Sequence, residues 1–317
     1  MPSATVTQTF SVKDYDLDAT LNSGQAFRWE KSGESWVGII GSRWVRLRCE
    51  PCKIIAQTSP PMNDWSWLFH YLQLDVDLSS LLLTFPNDEP MRAAIKSCRG
   101  LRLLRQDPWE CLASFILSST KQIVQIQQII GHLCERFGKR IETPPGFPVS
   151  YSFPSAEDLS RVTEPELREC KMGFRAPYLL GTARAIADEE ISLIRLQELP
   201  VEEVRSELMR LPGVGRKIAD CVSLFAYGLQ SSFPVDVWVA KALRQLYFPR
   251  RQVQLKRLHR FAANHFGPHA GYAQQYLFHY MRTKVEKEAG RKDNKRSVPR
   301  RSRSPRSRML ADRPKLI

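Results

Sequence analysis

The sequence predicts an α+β fold: an N-terminal antiparallel β-sheet domain with helices, followed by a mainly α domain that carries a helical hairpin. Two patterns predict it. Between Thr9 and about Glu50, short β-prone runs alternate with turn residues, and from Glu89 onward the apolar period is helical almost throughout. Length agrees, because 317 residues correspond to about two domains. The expected divisions are a sheet domain over 1–100, a helical domain over 101–283 with its hairpin at 202–229, and a basic disordered tail over 284–317.

The β-prone runs are QAFRW, SWVGII and RWVRLRC, broken at Ser32-Gly33 and Gly41-Ser42 as hairpins require. After Pro60-Pro61 the stretch WSWLFHYLQL reads as helix. Asp107-Pro108-Trp109-Glu110 is a strong helix start, with Asp as N-cap, Pro first and Glu third. A polar interruption, Ser118 to Gln122, separates its apolar face from that of Ile123, Ile126, Ile130 and Leu133. Thr143–Ser155 holds four prolines and reads as a linker.

Charge is uneven. The formal total is +14, yet Lys284–Ile317 alone holds 13 Lys/Arg against 4 Asp/Glu. A mildly basic body with a strongly basic tail points to a polyanionic partner. The tail has too few apolar residues for a core, and reads as a solubilising extension, a non-specific DNA contact or a nuclear address. No stretch reaches the roughly 20 apolar residues of a membrane span, and MPSATVTQTF lacks the charge and apolar run of a secretory signal. Seven irregularly spaced cysteines suggest reduced thiols in an intracellular protein, and the lone pair Cys49/Cys52 lacks the second half of a zinc site. No metal is expected.

The most informative segment is Glu202–Ala240. A helix runs into LPGVGRK, and a second helix follows with Ile218, Cys221, Val222 and Phe225 on one face. Gly213 and Gly215 allow a sharp turn with bare N–H groups, and a helix N-terminus behind them favours a phosphate. A plain helix–turn–helix corner has the same spacing. Lys217 stands in the first helical turn beside Arg216, where dipole and neighbouring cation favour the neutral amine that forms a Schiff base. The alternative is a surface lysine paired with Asp220 at i+3. Asp236, after Phe233-Pro234-Val235, opens the next helix as an N-cap; a carboxylate held at a helix N-terminus also stays ionised, so it can stabilise a developing cationic sugar.

Together these features resemble the helix–hairpin–helix superfamily of DNA glycosylases, and within it the eukaryotic-type 8-oxoguanine DNA glycosylases. SGQAFRW (Ser23–Trp29), YLQLDVDL (Tyr71–Leu78), GLRLLRQDPWECLASFILSS (Gly100–Ser119), GFRAPY (Gly173–Tyr178), LPGVGRKIADC (Leu211–Cys221), PVDV (Pro234–Val237) and FGPHAGYAQQYLF (Phe266–Phe278) occur in family order over about residues 8–283. The resemblance implies that Lys217 attacks the deoxyribose C1′ of a flipped nucleotide, with Asp236 steadying the oxocarbenium-like sugar, followed by β-elimination. It implies that the Gly24 carbonyl accepts the N7–H unique to 8-oxoguanine, that Gln274 reads the Watson–Crick edge, and that Cys221 and Phe278 sandwich the base. Phe174 falls at the wedge that fills the vacated stack, and Arg175 at the reader of the opposite cytosine. Gly213, Gly215 and Arg216 would meet backbone phosphate. The implied partner is duplex DNA with 8-oxoguanine, opposite cytosine, bound by a monomer without a membrane. No cofactor is implied, and a monovalent cation at the hairpin is compatible.

Four positions depart from the family pattern. Thr120-Lys121-Gln122 replaces an asparagine run, Gln125 an arginine, Trp238 a histidine near the 5′ phosphate, and Met281 its acidic partner. The first two weaken the expected opposite-base contacts of Thr120, Lys121 and Gln125. Cysteine is absent beyond Cys221, which excludes the iron–sulfur branch. A monofunctional alkylated-base glycosylase needs no lysine at 217, and a non-catalytic DNA-binding hairpin needs neither Lys217 nor Asp236. The expected compartment is the nucleus in a eukaryote, otherwise the cytoplasm and nucleoid.

Overall fold

In the computed structural model residues 5–119 and 121–296 are described, with side chains through 285. The chain divides into two units, Met1–Met281 and Arg282–Ile317.

The first unit opens with a five-stranded antiparallel sheet in the order β1-β5-β4-β3-β2, formed by β1 (Val6–Ser11), β2 (Trp29–Ser32), β3 (Ser35–Ile40), β4 (Arg43–Glu50) and β5 (Lys53–Ser59). Gly33 and Gly41, both at φ +58°, turn the two expected hairpins. Helix α1 (Leu17–Leu21) starts at Asp16, whose carboxylate accepts the Ala19 N–H at 2.8 Å. Alternation in β4 and β5 sends Val45, Leu47, Ile54 and Ala56 to one face, where they bury with Leu68 and Leu72 of α2 (Ser66–Leu72). The sheet departs from expectation at both ends. Of QAFRW only Trp29 enters a strand, because the Gln25 side chain is drawn into a buried loop network. Strands β1 and β5 had no clear sequence signal; β1 is an edge strand whose residues are mostly exposed and polar.

Helices α3 (Leu78–Leu82) and α4 (Glu89–Cys98) bury Leu78, Leu81, Met91 and Ala94 in a second, larger core rather than under the sheet. The two cores interleave along the chain, since Ala19 and Phe27 belong to the larger one and Leu104 to the one under the sheet. Helix α5 (Pro108–Leu117) starts as predicted, with the Asp107 carboxylate accepting the Glu110 N–H at 2.8 Å. Helix α6 (Ile123–Phe137) follows. The proline-rich linker supplies β7 (Ser150–Tyr151), which pairs with β6 (Arg140–Ile141) just ahead of it, and sets Phe147 against Trp44 with ring centroids 4.7 Å apart.

Eight further helices complete the order: α7 (Ala156–Ser160), α8 (Glu164–Glu169), α9 (Ala176–Ala187), α10 (Val201–Leu208), α11 (Arg216–Phe225), α12 (Val237–Tyr247), α13 (Leu255–His265) and α14 (Ala270–Arg296). Two close contacts place the site. Helix α5 packs on α11, where the Phe115 and Phe225 rings stack with centroids 5.6 Å apart. Helix α14 also meets α11 closely: a Cβ on Gly271 would lie 2.2 Å from the Leu224 side chain. No described helix is long and apolar enough to cross a membrane.

In the second unit the backbone is helical through Arg296. This corrects the expectation of a disordered segment from Lys284, for KVEKEAGRKDNKR is rich in the good helix formers Lys, Glu, Ala and Arg. The rest of the tail lies outside the described residues.

Candidate active site

The hairpin joins α10 to α11. Gly213 takes φ +74°, and a Cβ there would lie 2.7 Å from the Tyr178 side chain, so the turn and its packing both require glycine. Gly215 differs from expectation. It is the extended N-cap of α11 (φ −96°, ψ 177°) and needs no glycine for its backbone; a Cβ there would meet nothing within 4 Å. Its bareness leaves the N-terminus of α11 open, and no side chain caps it. Free N–H groups on an exposed turn are what a phosphate oxygen binds.

The partners of Asp220 bear on the two readings of Lys217. Its carboxylate, 1% exposed, takes the Arg205 guanidinium at 2.7 Å and has Arg216 at 3.6 Å. Lys217 instead donates to the Ser118 hydroxyl at 3.0 Å and lies 5.0 Å from the centroid of the Phe115 ring. The i+3 pair with Asp220 is not made. Burial raises the Asp220 carboxyl above its ordinary value, against the pull of Arg205. Arg205→Met leaves that carboxylate buried and should cost about 3–5 kcal/mol at neutral pH, read from the urea midpoint. The ionised form carries the penalty, so the loss should shrink as acid protonates Asp220. An equal loss at every pH would contradict the assignment.

Asp236 caps α12, accepting the Val239 N–H at 2.7 Å. Burial raises its carboxyl above the usual aspartate value, opposed by the Val239 N–H, the Lys217 charge and the Trp238 N–H. The expectation that the cap alone keeps it ionised is thus incomplete. Cys221 is buried, and that burial pushes its thiol up to about 12, with Lys217 pulling down and Asp236 pushing up. It is a neutral thiol at neutral pH. Lysine, aspartate and thiol therefore share one electrostatic neighbourhood where α5, α11 and α12 converge. Cys111, on α5, is held up by its own burial and feels Cys221, Asp107, Glu110 and the Lys217 charge.

A second group of candidates is built from both ends of the chain. Gly24 (φ +77°) sits between two anchored residues. The Ser23 carbonyl accepts the Gln275 amide at 3.0 Å, and the Gln25 amide donates to the Thr20 and Arg102 carbonyls while its oxygen accepts the Leu104 N–H. The Gln275 bond ties Gly24 to the α14 turn that carries Gln274. Gln274 is 4% exposed, and its Oε1 has no hydrogen-bond partner among the described residues. Leaving a buried acceptor unpaired costs about 1–3 kcal/mol, which marks a position built for an incoming donor. Gln274 and the half-buried Phe278 follow Gly271 at i+3 and i+7, on the side of α14 that meets α11.

The family described as the N-terminal domain of 8-oxoguanine DNA glycosylase matches residues 8–112, and the HhH-GPD superfamily of base-excision DNA repair proteins matches 113–266. An N-glycosylase/DNA lyase OGG1 from Arabidopsis thaliana is 33% identical over 281 residues, covering 83% of this chain and 76% of the plant protein. The chain belongs to the 8-oxoguanine DNA glycosylase family. A probable N-glycosylase/DNA lyase from Methanothermobacter thermautotrophicus is 31% identical over 86% of this chain and 95% of its own length. The fold matches the Clostridium acetobutylicum 8-oxoguanine glycosylase/lyase, solved with duplex DNA containing cytosine opposite 8-oxoguanine, with a TM-score of 0.81 at 32% identity. That match covers 88% of this chain and 98% of the bacterial one.

Against this glycosylase framework, the opposite-base candidates are dispersed. Phe174 is 54% exposed at the tip of a single 3-10 turn, Gly173–Arg175, as a wedge must be. Arg175 is turned inward, 2% exposed, with Nη1 donating to the Met172 carbonyl at 3.3 Å and its guanidinium 4.3 Å from the Phe174 ring centroid. To meet a base it must leave that seat. Gln125 accepts the Gln122 N–H at 3.2 Å as part of the α6 start, so its amide oxygen is committed to a cap. Lys121 is half-buried, and Thr120 lies outside the described residues. Trp238 is half-buried with the Lys241 ammonium 5.6 Å from its ring centroid, and Met281 is buried. Among the described residues no group of three His, Cys, Asp or Glu could hold a metal, and Cys49 and Cys52 are exposed thiols.

The sequence reading missed Ser118, Phe115, Gln25 and Gln275. Ser118 stood in plain view in the polar break after α5, but nothing local points a serine at a lysine 99 residues away.

Proposed function

We infer that this protein is a bifunctional DNA glycosylase and abasic-site lyase that removes 8-oxoguanine from duplex DNA during base excision repair. The observation that carries this reading is Lys217: its ammonium stands at the opened hairpin, is held by the Ser118 hydroxyl and acts on Asp236, while Asp220 is taken by Arg205. An amine in that setting suits attack on a sugar carbon.

The flipped nucleotide enters between Cys221 and Phe278. The Gly24 carbonyl accepts N7–H, which 8-oxoguanine has and guanine lacks, and the orphaned Gln274 oxygen takes a donor from the Watson–Crick edge. The Lys217 lone pair forms the N–C1′ bond as the C1′–N9 bond breaks, its electrons leaving with the base. Asp236 offsets the positive charge on the sugar, and a proton lost from Nζ reaches the departing base. Ring opening gives the imine. Loss of a C2′ proton then expels the 3′ phosphate and leaves a nick. Duplex DNA sits on the open hairpin at Gly213, Gly215 and Arg216, with Phe174 in the gap. Such a substrate places the enzyme where the genome is, the nucleus in a eukaryote and otherwise the nucleoid.

Single-turnover excision of 8-oxoguanine opposite C, A, G and T tests this. Excision opposite C should be fastest but only modestly so, because Gln125 is held as a cap and one good base contact, about 1–3 kcal/mol, is roughly 5- to 150-fold. Arg175→Ala should collapse the preference. Release of 3-methyladenine without 8-oxoguanine would refute the function. A preference that survives in Arg175→Ala would refute the reader.

A further inference from the structure

We propose that Ser118 is the positioning residue for Lys217: it holds the amine as an acceptor only, and so keeps the nitrogen lone pair turned toward the sugar. The proposal rests on the glycosylase reading above and adds to it a residue outside the base pocket.

The Lys217 Nζ donates to Ser118 Oγ at 3.0 Å, and Ser118 Oγ donates its own hydrogen to the Phe115 carbonyl at 2.7 Å. A serine hydroxyl has one hydrogen. Spent on Phe115, it is not available to the lysine, and Ser118 can meet Nζ only with a lone pair of its own. This matters once the amine is neutral. A neutral amine has two N–H bonds and one lone pair, and a freely rotating hydroxyl would donate to that lone pair and mask the nucleophile. Here the hydroxyl must take an N–H, so the lone pair points away from Ser118.

The seat is rigid. Ser118 closes α5, with its own N–H on the Phe115 carbonyl at 3.2 Å. Phe115 is clamped by Phe225 stacked at 5.6 Å and by Phe27 edge-on at 5.6 Å, and the same ring lies under the lysine. Asp220, the acidic neighbour that could draw the amine off, is held by Arg205. The nucleophile on α11 is thus aimed by the C-terminal end of α5.

The test is the rate of borohydride trapping on a duplex with a single abasic site, where the sugar aldehyde reports on the amine and no base has to leave. Ser118→Ala should trap roughly ten- to hundredfold more slowly, with its affinity for the duplex and its melting temperature unchanged. Ser118→Thr, which keeps the hydroxyl, should return to within a few-fold of wild type. Ser118→Cys matches serine in shape but accepts poorly, and should be as slow as alanine; it carries the test if the alanine variant does not fold. Wild-type rates in Ser118→Ala or Ser118→Cys, or a threonine variant as slow as alanine, would overturn the proposal. Wild-type protein that traps the abasic site but never releases 8-oxoguanine would refute the lesion assignment and leave the Ser118 result standing.

Discussion

Replacing Lys217 with glutamine is expected to abolish both base release and covalent trapping while leaving lesion binding nearly intact. Glutamine keeps two of the four methylenes and an uncharged polar end on a half-buried helical position, so α11 and the hairpin should be undisturbed. What disappears is the amine proposed to bond C1′. Intramolecular attack by a positioned nucleophile supplies a large part of such a rate enhancement, and single-turnover release should fall by more than about 10³-fold. Binding is proposed to rest on the N–H groups of the open turn, Arg216 and the pocket walls, which the substitution leaves in place. A Lys217→Gln protein that still forms a trapped complex would move the nucleophile to another amine, with Lys121 the first candidate.

Asp236→Asn should be nearly as damaging, through a different route. Asparagine is as good an N-cap as aspartate, and it can still accept the Val239 N–H, so α12 and its stability should be kept. Only the charge is lost. Removing one preorganised electrostatic partner of a transition state typically costs about 10²–10³-fold, and base release should fall by that factor while trapping on an abasic site falls less. The pH profile gives the sharper signature. The ionised carboxylate is the active form, and burial raises its pKa above the ordinary value. Wild-type release should therefore decline on the acid side through an inflection above the usual aspartate range, and that limb should be missing in Asp236→Asn. An unchanged acid limb in the variant would assign the titration to another group.

Much of this architecture was legible because it is written in local chemistry. Asp107-Pro108 starts α5, the Gly213 turn precedes α11, and Asp236 caps α12, each through residues within one turn of the event. The sheet was less legible. The edge strand β1 buries little, and QAFRW gives up strand pairing because Gln25 bonds to residues far along the chain. The candidate site shows the same division. Gly24, Gln274, Lys217 and Asp236 were marked by motif, whereas Ser118 and Gln275 act through partners 99 and 252 residues away. The resemblance puts Arg175 and Gln125 at opposite-base contacts. Packing under Phe174 and the N-terminal cap of α6 decide where they point, and neither is visible in a linear pattern.

In the proposed mechanism one amine, Lys217, forms the covalent bond to the damaged nucleotide. The direct measurement is borohydride reduction of the full-length protein on a duplex with one 8-oxoguanine opposite cytosine, followed by peptide mapping of the adduct by mass spectrometry. A single cross-linked peptide that spans the start of α11 is expected, with the deoxyribose remnant on Lys217. An adduct on any other lysine, or free 8-oxoguanine released with no adduct formed, would contradict it.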